Sequence, residues 1–118
     1  MQNFKKETLE KIEESHHKIE DVMFVGSADG KYRMNIDKFL EKSNFEYEES
    51  YGSSKIAVDL IVYFKDNSFL SRGEYDGSEW WEYNRLVDYK ENDNYETFDI
   101  LGGSKYSWDT VKEMNEEK

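Results

Sequence analysis

The apolar positions near the start of the chain recur at helical intervals. Leu9, Ile12, Ile19 and Met23 stand three, seven and four residues apart, with His16 where the stripe would continue. This spacing predicts an amphipathic helix over residues 3 to about 21, inside an N-terminal segment 1–23, with Lys11, Glu14 and Lys18 on its polar side. Glu14 and Lys18 lie four apart in the favourable order for a helical ion pair. Ser27-Ala28-Asp29-Gly30 then separates two short stretches, 21–26 and 31–34, and its Asp-Gly pair supplies the positive backbone angles of a tight hairpin turn. Asn35 caps a short second helix that ends near Ser43-Asn44, with Asp37 in its first turn and Met34 and Phe39 placed as a hydrophobic staple.

From Phe45 the period changes to two. Phe45, Tyr47 and Tyr51 alternate with Glu46, Glu48 and Ser50, as in a half-buried strand. Residues 56–64 are apolar on both faces, with Ile56, Val58, Leu60, Val62 and Phe64 on one and Ala57, Ile61 and Tyr63 on the other, which predicts a central strand. Lys65-Asp66-Asn67-Ser68 and Asp76-Gly77-Ser78 turn the chain into strands at 69–75 and 79–83, so 45–83 reads as a four-stranded antiparallel meander. Residues 84–94 read as a polar loop, 95–101 as an edge strand, and Ser107 as the cap of a last helix carrying Trp108, Val111 and Met114. The fold class is therefore α+β: an antiparallel sheet of four to five strands packed by the N-terminal helix, with short second and C-terminal helices. The whole chain, 1–118, reads as one domain, with its sheet core at 45–83 and a C-terminal helix at 107–118 whose end, from Glu113 onward, is expected to fray.

Composition changes this picture in two ways. Charged residues make up 36% of the chain, which alone would suggest disorder, but aromatics reach 16% and supply large core side chains instead. The chain has no Cys, so disulfides, thiolate metal sites and a Cys nucleophile are excluded. Its longest apolar run, 56–64, is interrupted by Asp59 and falls far below the roughly 20 residues of a spanning helix. With no apolar run behind Lys5-Lys6, no signal peptide is expected, and the expected location is the cytoplasm.

Candidate chemistry is sparse. Glu13, His16, His17, Glu20 and Asp21 have spacings that would allow a two-ligand metal clasp on one helix face, against which His16 reads as a boundary residue and His17 as solvated. Glu74, Asp76, Glu79 and Glu82 lie beside Trp80 and Trp81, a combination used to hold and cleave sugars, although carboxylates are abundant throughout and the two Trp residues read as packing on opposite sheet faces. No serine has a Gly-x-Ser-x-Gly context and no phosphate-binding glycine loop is present. No catalytic residue, metal or cofactor is assigned, and the chain is not expected to be an enzyme.

Charge is more informative. The formal net charge is −11, and residues 74–118 carry −8 of it. Such a chain is not expected to bind nucleic acid directly, and a membrane is not an expected partner. An acidic surface can instead occupy a protein groove built for phosphates, its carboxylates replacing the phosphate row and speeding association. The stretch from Asp59 to Tyr83, above all Glu-Tyr-Asp-Gly-Ser-Glu-Trp-Trp-Glu-Tyr at 74–83, resembles a core found in small acidic proteins of bacteriophages and mobile elements. The likeness spans about residues 35–83, and this chain has Asn67 where Asp-Gly-Ser would be usual in the 65–68 turn. The resemblance implies an anti-defence inhibitor of the anti-CRISPR type, acting in the host cytoplasm if phage-encoded and carrying no catalytic residue. The expected partner is a bacterial nuclease or another nucleic-acid-binding protein, and the expected contacts are Glu74, Asp76, Glu79, Trp80, Trp81, Glu82, Asp88, Glu91 and Asp93. The alternatives are an immunity protein neutralising a cognate toxin, or a small ligand-binding or enzyme domain using Trp80 and Trp81. The expected state is a monomer or weak homodimer, with Asp99 opposing self-pairing along 95–101.

Overall fold

A five-residue strand with no exposed side chain organises the molecule. The computed structural model describes residues 2–47, 55–75, 78–85, 95–103 and 105–116. Its elements are β1 (Gln2–Asn3), α1 (Phe4–Glu14), a 3-10 turn (Ile19–Asp21), β2 (Val22–Ser27), β3 (Arg33–Met34), α2 (Ile36–Lys42), β4 (Glu46–Tyr47), β5 (Leu60–Phe64), β6 (Ser68–Tyr75), β7 (Ser78–Arg85) and α3 (Val111–Glu116). The fold is α+β, with a five-stranded antiparallel sheet in the order β3-β2-β5-β6-β7 and a separate two-stranded ladder of β1 with β4. All five residues of β5, the central strand, are buried.

The meander of β5, β6 and β7 forms, but its central strand covers only Leu60–Phe64 of the expected 56–64, with Val58 exposed, and its fourth strand is not the one at residue 45. Glu46 and Tyr47 pair with Gln2 and Asn3, and β2 takes the place beside β5. The reason is burial on both faces. A neighbour of β5 must offer apolar side chains to each side, which Val22, Phe24 and Val25 do and the Glu46/Glu48 alternation cannot. A bulge between Val22 and Phe24 lets Val22 pair with Phe64 and Phe24 with Tyr63. Val22 and Val25 thereby join the main core with Leu60, Val62, Phe64, Leu70 and Trp81, and Phe24 joins a smaller cluster with Ile61 and Tyr63.

Helix α1 also stops earlier than residue 21. Ser15 is its C-cap, His16 has φ 65°, His16 N–H donates to the Glu13 carbonyl at 3.0 Å, and His17 N–H donates to the Ile12 carbonyl at 3.1 Å. This is a Schellman ending, with His16 in the left-handed position glycine usually fills. Ile19 and Met23 therefore leave the helix, and its buried stripe is Phe4, Thr8 and Ile12. At the other end Asn3 Oδ1 accepts Lys6 N–H at 2.9 Å, which caps the helix. The 27–30 hairpin turn and the Asn35-capped α2 form as expected, with Gly30 at φ 75° and Asn35 Oδ1 accepting Lys38 N–H at 2.7 Å.

Further expectations are corrected. Residues 95–101 form no strand: the segment meets β3's neighbourhood through a parallel bridge of Glu96 to Tyr32 and buries Phe98 and Leu101. The last helix starts at Val111, capped by Thr110 and Glu113, whose carboxylate accepts Thr110 N–H at 2.9 Å. Trp108 is off the helix, 54% exposed with φ 57°, and the helix runs on through Glu116 because Val111 and Met114 anchor it. Asn84 and Arg85, expected in a loop, belong to β7. Among the described residues no helix is long and apolar enough to cross a membrane.

His16→Gly is expected to stabilise the protein by about 0.5–1 kcal/mol in urea unfolding, because it relieves a left-handed backbone while removing an exposed side chain. His16→Val should do the reverse.

Candidate functional site

The site grows from one inward-facing cation. On β6 the alternation that buries Leu70 sends Arg72 to the same helix-facing side, where only 4% of its side chain is exposed. A guanidinium there requires carboxylates, and two arrive from different elements. Glu7, in the first turn of α1, lies 3.2 Å from Nη1, and Glu79 of β7 lies 3.5 Å from Nη2. The Tyr47 hydroxyl accepts from Arg72 Nη2 at 3.2 Å and donates to Glu7 at 2.6 Å. Burial is the main cause pushing the Tyr47 phenol above its ordinary range. Glu79 also accepts the Lys55 and Ile56 main-chain N–H groups at 2.7 and 3.1 Å, so its charge is compensated on both oxygens. The guanidinium sits 4.8 Å from the Trp81 ring centre and 5.3 Å from that of Phe4, which itself stacks on Trp81 at 5.7 Å.

This network corrects the expected set of contact residues. Glu79 is 4% exposed and held by Arg72, and Trp81 is 3% exposed with its indole N–H donated to Thr8 Oγ1 at 2.9 Å. Both are almost wholly covered and make their polar contacts inside the fold. Trp80 points to the opposite face, half-buried, and donates to Glu82 at 3.1 Å. Gly73, its cross-strand partner, makes that position available, since a Cβ there would come within 2.6 Å of the indole nitrogen. Glu74 and Glu82 are exposed. Asp76, Asp88, Glu91 and Asp93 lie outside the described residues.

In front of the network lies a cleft of about 220 Å³, lined by Gln2, by Glu7, Glu10, Lys11 and Glu14 of α1, and by Glu79, Trp80 and Trp81 of β7. Glu10 and Glu14 are not among the contacts expected from the sequence, where Glu14 stands only as a polar-face residue of the first helix. They are exposed on its cleft side, with Lys11 pairing to Glu14 at 3.7 Å. With Glu7 and Glu79 committed to Arg72, Glu10 and Glu14 against the single ammonium of Lys11 leave the cleft with a net negative charge.

The histidines exchange their expected roles. His16 is exposed, whereas the His17 side chain is 8% exposed, stacked on Phe64 at 3.9 Å. Its Nδ1 lies 2.8 Å from the Ser15 carbonyl and its Nε2 lies 2.9 Å from Asp66. Ser68 lies 3.3 Å from the same Nε2 and donates its own proton to Asp66. Serine and aspartate thus share one ring nitrogen, unlike a hydrolytic triad, where the carboxylate holds the other. The trio instead locks the β5–β6 turn, in which Asn67 takes φ 72°. The hydrogen bond from Ser68, assisted by His17, holds the Asp66 carboxyl well below the usual carboxylate range. Among the described residues no group of three or more His, Cys, Asp or Glu is placed to hold a metal ion.

Comparison with protein-family models gave no match, and comparisons with curated proteins and with solved structures gave none either.

Arg72→Met is expected to cost about 3–5 kcal/mol in urea unfolding, because it leaves two buried carboxylates facing each other. The triple variant Arg72→Met, Glu7→Gln, Glu79→Gln should recover most of that loss. Acid sensitivity follows from Asp66: its folded-state pKa is depressed below 3.8, so its contribution is complete above that pH and is lost as pH falls further. Thermal melts from pH 7 to 2 should show this part of the acid limb in the parent chain and not in Asp66→Asn.

Proposed function

We propose that the protein is a binding protein that occupies a basic, nucleic-acid-handling surface of a bacterial defence enzyme, in the manner of an anti-CRISPR inhibitor. The observation that carries this reading is the exposed carboxylates, Glu10 and Glu14 along α1 and Glu82 beside half-buried Trp80 on β7, in a chain of net charge −11. Carboxylates held on a helix and a strand keep fixed separations, as phosphates along a nucleic-acid backbone do, and so compete for the same lysines and arginines. An indole beside them adds a surface on which a guanidinium can stack. A small-ligand or enzymatic use of the same cleft is less favoured. Its volume of about 220 Å³ lies below the roughly 300–1,000 Å³ of ordinary ligand pockets, and two of its carboxylates are committed to Arg72.

The test is retention of purified defence nucleases on the immobilised protein at low and at high salt, with a competing oligonucleotide. Retention at low salt, release by salt or by the oligonucleotide, and a loss of about tenfold or more in the Glu10→Lys, Glu14→Lys, Glu82→Lys variant are the expected results. Retention unchanged by these reversals, in a variant whose circular dichroism matches the parent, would overturn the reading. Glu79 is left intact because its replacement would disturb Arg72.

A further inference from the structure

The two edges of the sheet are finished differently. At one edge β3 is two residues long, and the segment beyond it closes the edge, with Arg33 N–H donating to the Glu96 carbonyl at 2.6 Å and Glu96 N–H donating back to Lys31. At the other, β7 runs for eight residues in unbroken register with β6. Among the described residues no main chain pairs with the outer side of β7. Long, unbulged edges are ordinarily shortened, bent or covered, because they template the addition of another strand.

The acidic cleft lies along this edge. Glu79, Trp80 and Trp81 are consecutive residues whose side chains alternate between the sheet faces, yet all three line it. The cleft therefore lies between α1 and β7, the outer strand of the sheet. Its far wall is α1, which contributes Glu7, Glu10 and Glu14 from a single stripe. We propose that this groove takes an extended basic segment of the partner protein, which adds to the sheet as a sixth strand beside β7 and sets its lysines or arginines against Glu10 and Glu14. The inference rests on the reading of the protein as a binder of basic partners and names how it binds.

Spacing and charge favour that occupant. Glu10 and Glu14 stand four residues apart, about 6 Å along the helix, and same-side residues of a strand stand about 7 Å apart, so a Lys-x-Lys segment meets both acids while its main chain pairs with β7. Main-chain pairing supplies affinity in this mode of recognition, and alternate side chains supply specificity. A second copy of the chain is disfavoured as occupant, since its own β7 would bring the exposed Glu82, and a net charge of −11, to an acidic groove.

The probe is a seven-residue peptide of alternating lysine and valine, blocked at both ends, titrated into the isotope-labelled protein and followed by amide shifts and hydrogen exchange. Two control peptides keep every charge but carry N-methyl groups on all lysine amides or on all valine amides, each removing the donors along one edge. Expected are shifts and slowed exchange confined to 78–85 and the facing side of α1, a loss of about tenfold or more with one methylated peptide but not the other, and weaker binding to Glu10→Gln, Glu14→Gln. Equal binding of all three peptides would overturn strand addition and leave a purely ionic contact, with the proposed function intact. No peptide binding, while nucleases are still retained in a salt-sensitive way, would also overturn the groove and spare the function; loss of both would remove the two together. Protection of 78–85 that rises with protein concentration in the absence of peptide would name a second copy as the occupant and overturn the proposal.

Discussion

A guanidinium with almost no access to water governs the arrangement of this protein. Arg72 meets Glu7 of α1, Glu79 of β7 and Tyr47 of β4, so one buried charge on β6 ties three other elements to the sheet. Withdrawing these ions from water is costly, and the arrangement holds because the surplus negative charge is met by the Lys55 and Ile56 N–H groups and the Tyr47 hydroxyl. Glu7 and Phe4 together fix where α1 lies on the sheet. The outward stripe of that helix, Glu10 and Glu14, then faces β7 and Trp80. The acidic surface is thus a geometric consequence of the interior.

Acidity has a second use within the fold. Asp21 accepts Lys18 N–H, Asp29 accepts Lys31 N–H, Asp66 accepts Ser68 N–H, and Asp59 accepts Val111 N–H at the start of α3. Burial raises the Asp59 carboxyl above its ordinary value, against the pull of that bond. In a chain without proline, carboxylates bracket the turns and helix starts by binding main-chain donors. Many of the 27 acidic residues therefore cannot be counted as surface for a partner.

The elements written in local signals were legible. The Asp-Gly turn at 29–30, the Asn35 cap, the two-faced strand and the β5-β6-β7 meander all depend on neighbours in sequence. What could not be read locally was β2 beside β5, because the pairing of Val25 with Val62 crosses an entire helix and a short ladder. The end of α1 was hidden because His16 occupies a position where glycine is the usual signal. At the site, charge and the neighbourhood of Trp80 were visible, but the division between spent and offered carboxylates was not. Arg72 shared the face of Leu70 in the strand pattern, and a cation on an apolar face asks for buried acids; that signal would have removed Glu79 from the surface and drawn attention to α1.

The long reach of the β2–β5 ladder also divides the fold into near and distant pairings. The meander pairs near neighbours, through the turn at 65–67 and the pairing of Tyr75 with Ser78, whereas β2 and the Glu7–Arg72 pair join residues tens of positions apart and carry a larger loop-closure cost. A β5-β6-β7 sheet taken alone would leave Leu70 and Trp81 uncovered and Arg72 without Glu7, so the helix that shields the apolar face is also the one that completes the partners of the buried cation.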